Sequence, residues 1–99
     1  MYSVEQIDQA AEALLTLWQQ RARCDGLAQA CRPGTRTDGY AVQQAMGEKQ
    51  SHALFGWKIA ATSIEGQRHI AVNGPLAGRL YTDRVLRDGA SVTMENNLM

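Results

Sequence analysis

The sequence predicts an α+β fold: two amino-terminal helices, then short strands with one short helix among them. Three observations predict it. Apolar residues recur at steps of three and four near the amino terminus, the period changes to two at Phe55, and turn signals then punctuate the chain at Asn73-Gly74-Pro75 and Asp88-Gly89. Helices first and strands afterwards is the segregated order of an α+β arrangement. The 99 residues are enough for one small domain and too few for two, helical over 1–54 and mixed over 55–99.

Ser3 followed by Gln6 has the form of a capping box, and Val4, Ile7, Ala11, Leu14, Leu15, Trp18 and Ala22 make the apolar stripe of the first helix. Its stop is expected near Arg23, where Cys24-Asp25-Gly26 supplies turn chemistry and Arg21 and Arg23 suit the negative end of the helix dipole. Gly26 to Arg36 reads as a loop with Pro33-Gly34 as its turn and Leu27 as an anchor. A second helix is expected from a cap at Thr37 or Asp38, with Ala41, Val42, Ala45, Met46 and Ala53 as its stripe. Gly47 inside it costs about 1 kcal/mol relative to alanine.

From Phe55 to Ser63 the pattern is that of a strand, with Phe55, Trp57, Ile59 and Ala61 on one face and Gly56, Lys58, Ala60 and Thr62 on the other. The first face is bulky and apolar, as a core face should be. The second surrounds one ammonium with side chains too small to cover it. A lysine held there with limited water access would have its pKa lowered toward the working range, fit for proton transfer or anion stabilisation. The plainer reading is an amphipathic strand whose lysine faces solvent. Beyond it, Thr62 or Ser63 can cap a short helix through Ile70, and Gly78–Tyr81, Arg84–Leu86 and Ser91–Thr93 are candidate strands. The last residues carry no signal that would close a sheet, so the chain is expected to be cut off.

Ten basic and ten acidic side chains cancel, leaving no global field to attract nucleic acid or an anionic membrane. No leader and no apolar run of spanning length is present, which makes a cytoplasmic location the default expectation. Cys24 and Cys31 have neither metal nor redox spacing and read as two reduced thiols. No two carboxylates form an alternating pair that a strand would aim at one ion, and His52 and His69 lie on different expected elements. Arg79, Arg84 and Arg87 alternate with Asp83 and Asp88 and read as exposed pairs worth little each. The glycines of Gly74-Pro75-Leu76-Ala77-Gly78 are at the wrong spacing for a phosphate loop.

Read in order, Ala10–Leu15, Tyr40-Ala41-Val42-Gln43-Gln44, Gly56-Trp57-Lys58-Ile59 with Thr62-Ser63, Gln67-Arg68-His69-Ile70 and Gly74–Leu80 resemble the 2-keto-4-pentenoate hydratase group of the fumarylacetoacetate hydrolase family. The resemblance runs along nearly all of the chain and covers only the amino-terminal portion of that longer family. It implies an incomplete part of a fumarylacetoacetate-hydrolase-like fold, truncated before the metal-binding part. In the family magnesium or manganese, held by a Glu-x-Glu pair and a further acid, acts as Lewis acid toward a 2-oxo acid. By resemblance Lys58 is the catalytic lysine of the Gly-Trp-Lys motif, and Thr62, Ser63, Gly78 and Leu80 are substrate-binding. No metal ligand is carried over, so this chain alone would bind neither metal.

Two departures matter. Leu76 stands where many hydratases carry an acidic residue, so an acid/base role does not transfer there, and Ala60 replaces a common glycine. The expectation is the amino-terminal part of a metal-dependent 2-oxo-acid hydratase, inactive alone, with a small 2-oxo acid as partner and a homo-oligomer compatible with the complete enzyme. Decarboxylation or C–C hydrolysis on the same enolate strategy is one alternative. A binding or interaction module without catalysis is the other.

Overall fold

The computed structural model describes residues 1–94 and shows, over them, three α-helices and a two-stranded antiparallel sheet, an α+β chain. Two compact units divide it, one comprising 1–51 with the stretch from Gly89 and the other 52–88. The boundary falls three residues before the expected change from helical to mixed structure.

In the first unit, α1 spans Val4–Gln20 and begins with the capping box that the sequence promises. The Ser3 hydroxyl accepts from the Gln6 amide at 3.1 Å, and the Ser3 amide donates to the Gln6 side chain at 2.8 Å. The helix ends at Gln20, short of the expected Arg23, because Arg21 enters the left-handed region at φ 52° and its amide closes on the Leu17 and Trp18 carbonyls. Gln29–Cys31 is a 3-10 turn inside the stretch expected to be plain loop. The second helix, α2, spans Arg36–Lys49. Its cap is Thr35, not Thr37 or Asp38, since the Thr35 hydroxyl accepts from the Asp38 amide at 3.1 Å and thereby places Asp38 in the first turn. Ala53 lies outside the helix, which stops when Gln50 turns extended.

The core of this unit lies between α1, α2 and the 3-10 turn. Ala10 and Ala11 are fully buried there with Cys31, Val42 and Ala45, and Tyr2, Ile7, Leu14, Leu27 and Met46 pack around them. Small residues at the contact let two helix backbones approach closely. Val4 and Trp18, expected on the apolar stripe, are exposed, whereas Ala10 joins the core. Leu27 anchors its loop as expected, and Arg32 grips the Leu27 carbonyl through Nε at 3.2 Å and Nη2 at 2.7 Å.

In the second unit, β1 (Leu54–Ala60) pairs antiparallel with β2 (Leu76–Tyr81), and α3 (Ile64–His69) lies in the connection. Ser63 caps α3, its hydroxyl accepting from the Gly66 amide at 3.0 Å. The strand expected to run to Ser63 stops at Ala60 because Ala61 turns left-handed, at φ 57°. A bulge between Leu54 and Gly56 sets Leu54, in place of Phe55, opposite Tyr81. Arg84–Leu86 and Ser91–Thr93 form no strand: Thr82–Arg84 winds into a 3-10 turn, and the residues after it take no ladder partner among the described residues. The apolar face expected as core is largely uncovered here, with Phe55 63%, Trp57 49% and Ile59 53% exposed. Only Tyr81 of this unit's apolar side chains is buried, since two strands and one short helix cannot enclose a sheet face.

Candidate functional site

The register decides which residues share a face. Side chains directly opposite each other in an antiparallel ladder point the same way, so Lys58 with Gly78, Gly56 with Leu80, and Ala60 with Leu76 form one face. Trp57 with Arg79 and Ile59 with Ala77 form the other. Three of the five expected site residues, Lys58, Gly78 and Leu80, are therefore brought together. Lys58 is the only ionisable residue among the six paired positions of its face. Its cross-strand partner is a glycine and so is its neighbour two residues back, and a Cβ built on Gly56 would meet nothing within 4 Å. The ammonium thus stands above a floor of backbone and small side chains.

Lys58 is exposed, so the limited water access expected of it is not found within this unit. On the face from which it rises Ala60 is exposed as well, whereas Gly56, Leu76, Gly78 and Leu80 are half-buried. Leu76, at the position where an acid/base carboxylate does not transfer, shares that face opposite Ala60 and keeps it free of negative charge.

Thr62 and Ser63 lie past the end of β1, exposed, at the start of α3. The Ser63 hydroxyl is occupied in capping the helix. Between these residues and the strand sits left-handed Ala61, whose carbonyl accepts from the Gln67 side chain at 3.1 Å. The turn that offers Thr62 and Ser63 is held by that bond and by the cap.

On the opposite face the Arg79 guanidinium lies over the Trp57 ring, 5.2 Å from its centroid. The sequence groups Arg79 with the carboxylates that follow it, and the ladder sets it opposite Trp57. Only the pairing register, invisible in the linear sequence, discloses this contact. Arg84 does reach Asp83, Nε to Oδ2 at 3.5 Å, and His52 Nε2 approaches the same oxygen at 3.8 Å. The His52, Asp83 and Arg84 side chains are all partly solvated.

In the first unit, Lys49 bridges Asp8 at 3.5 Å and Glu12 at 3.4 Å. Burial alone would lower its pKa, but the hydrogen bond to Glu12 and the charges of Asp8 and Glu12 outweigh that and raise it. Tyr2 donates its hydroxyl to the Cys31 carbonyl, and desolvation, aided by Cys31 and Asp38, raises its pKa. A shallow depression of about 520 Å³ runs beside α1 from Gln9 to the exposed Cys24 and Leu27. Both cysteines are free thiols, Cys31 in the core.

The magnesium or manganese implied by the resemblance finds no ligand set among the described residues. Among the described residues no three of His, Cys, Asp and Glu gather as a metal site, so the residues present do not fit the ion and no chemical step is assigned through it. No helix of the described residues is long and apolar enough to cross a membrane. Compared with known proteins, the chain matches no family model, no curated protein and no solved structure.

Proposed function

We propose that this chain supplies the lysine-bearing part of a 2-oxo-acid site of the hydratase kind. The observation that carries the proposal is the solitary Lys58 charge on a sheet face of glycine, alanine and leucine, opposite Gly78 and beside Leu80. Such a face accepts a flat, anionic, partly apolar molecule. The carboxylate or enolate oxygen meets the ammonium, and the carbon chain lies along Leu80 and Leu76. The order of the motifs through Gly74–Leu80 supports the same reading, as do Gly56 and Ala60, the small residues two positions to either side of the lysine.

Lys58 would stabilise negative charge developing on the 2-oxygen or pass a proton to the neighbouring carbon. Magnitudes show what else is required. A pair of unit charges 4 Å apart is worth about 1 kcal/mol in bulk water and about 4 kcal/mol at a surface of reduced dielectric. An exposed ammonium therefore binds weakly and catalyses little until something covers the face. This reading requires a cover for the face and metal ligands other than those among the described residues. Water addition, decarboxylation and C–C hydrolysis share the enolate, and Leu76 offers no acid to favour hydration.

The test is an amide-resolved titration of the ¹⁵N-labelled chain with 2-oxopent-4-enoate. Weak, saturable shifts at Gly56, Lys58, Gly78 and Leu80, lost in Lys58→Met, are expected. Perturbations elsewhere, or unchanged ones in Lys58→Met, overturn the proposal. The chain alone, given magnesium and 2-hydroxypenta-2,4-dienoate, is expected to show no turnover.

A further inference from the structure

We infer that the free edge of β1 is a self-association surface, occupied by β1 of a second copy of this chain in an antiparallel pair centred on Trp57. This inference stands apart from the lysine-site proposal, since it concerns the strand's edge and not its face.

The sheet has two strands among the described residues, so one edge of β1 carries unpaired amides and carbonyls. A two-stranded sheet is marginal alone, and further strands stabilise it. The residues of β1 are also well solvated, from Leu54 to Ala60, with only Gly56 intermediate. Bulky apolar side chains on a free strand edge call for an occupant.

The sequence of the strand says which one. The regular stretch after the bulge contains Gly56-Trp57-Lys58, which pairs with itself about its centre. A twofold axis through Trp57 sets Trp57 beside Trp57 of the second copy. It sets each Lys58 opposite Gly56. The strand's single charge therefore meets a glycine and not its own image, which avoids the penalty of like charges directly opposed. The two ammonium groups then sit a diagonal apart in solvent, where salt screens them. On the other face the pairing extends the existing contact into a row across four strands: Arg79, Trp57, then Trp57 and Arg79 of the second copy.

An interface of this kind is isologous, so it closes at two copies. The protein carries no net charge to keep copies apart. The bulge between Leu54 and Gly56 recurs at both ends of the twofold pair and keeps the regular ladder short, so the association is weak and concentration-dependent.

Sedimentation equilibrium of the full chain up to about 1 mM tests it, with two variants. Gly56 has open space where a side chain would go, so Gly56→Glu is accommodated, and it sets a carboxylate opposite Lys58 of the second copy. Two such pairs form per dimer, and the dissociation constant is expected to fall about two- to thirtyfold, less so at high salt. Trp57→Lys sets two ammonium groups directly opposite and is expected to leave only monomer. Should that variant lose its circular dichroism, Gly56→Glu alone decides. A chain that stays monomeric throughout, grows beyond dimers, or associates no more tightly as Gly56→Glu overturns the inference.

Discussion

Lys58 of β1 stands directly opposite Gly78 of β2, so the only charge on that sheet face has no side chain across from it. The relationship separates two things that a buried lysine would confound. An exposed lysine facing a glycine does little for the fold, whereas an anion bound on that floor has no other cation on the face to approach. Lys58→Met is therefore expected to change unfolding free energy by no more than about 0.5 kcal/mol while abolishing the 2-oxo-acid shifts. Chemical denaturation alongside the titration reads both. A loss of several kcal/mol would make Lys58 structural.

Gln6 does more than complete a cap. Its side-chain oxygen accepts from the Ser3 amide while its Nε2 donates to the Ala30 carbonyl at 2.9 Å, tying the start of α1 to the 3-10 turn that carries Cys31. Ser3→Ala should remove the cap and cost about 1 kcal/mol. Gln6→Ala breaks two hydrogen bonds and should cost about 1–2 kcal/mol, the greater loss of the two. Thermal unfolding of the two variants ranks them, and equal losses would show that the link to Ala30 contributes nothing.

What the linear sequence disclosed followed the range of the interactions. The capping box at Ser3 and Gln6, the cap of α3 at Ser63 and the turn at Asp88-Gly89 rest on contacts a few residues apart, and each is found where local chemistry puts it. Alternation also placed Lys58 with Gly56 and Ala60. It could not supply the opposite strand, so the floor made by Gly78, Leu80 and Leu76, and the stacking of Arg79 on Trp57, emerged only with the register. The same alternation led to an error about burial. Period two identifies an apolar face but not what covers it, and Phe55, Trp57 and Ile59 are exposed. Arg84–Leu86 failed as a strand for a related reason: β-propensity needs a partner, and the chain curls into a 3-10 turn at Thr82 instead.

Both pKa shifts in the first unit are upward, and both act in alkali. A group whose folded pKa lies above its unfolded value stabilises the fold fully below the unfolded pKa, and that contribution is lost as pH rises through the folded one. For Tyr2 the ordinary value is 10.0 and for Lys49 it is 10.5. Stability should therefore be insensitive to these groups from neutrality to about pH 10 and decline above it. Tyr2→Phe and Lys49→Met should each make the alkaline decline shallower, as followed by melting temperature against pH. A decline of unchanged steepness in both would assign it to other groups.

Ala61 holds a backbone conformation that alanine resists, at φ 57°, in the turn between the lysine strand and Ser63. The left-handed region costs an L-residue with a Cβ roughly 1–2 kcal/mol, and glycine escapes it. Glycine also gives the unfolded chain more freedom, which offsets roughly 0.5–1 kcal/mol of that gain. The bond from Gln67 goes to the Ala61 carbonyl and survives the change. Ala61→Gly should therefore stabilise the second unit by about 0.5–1 kcal/mol. Trp57 fluorescence during urea unfolding, in a Trp18→Phe background, reports this unit. A destabilising Ala61→Gly would mean that the turn is set by contacts of the alanine methyl, and the strain argument would fail.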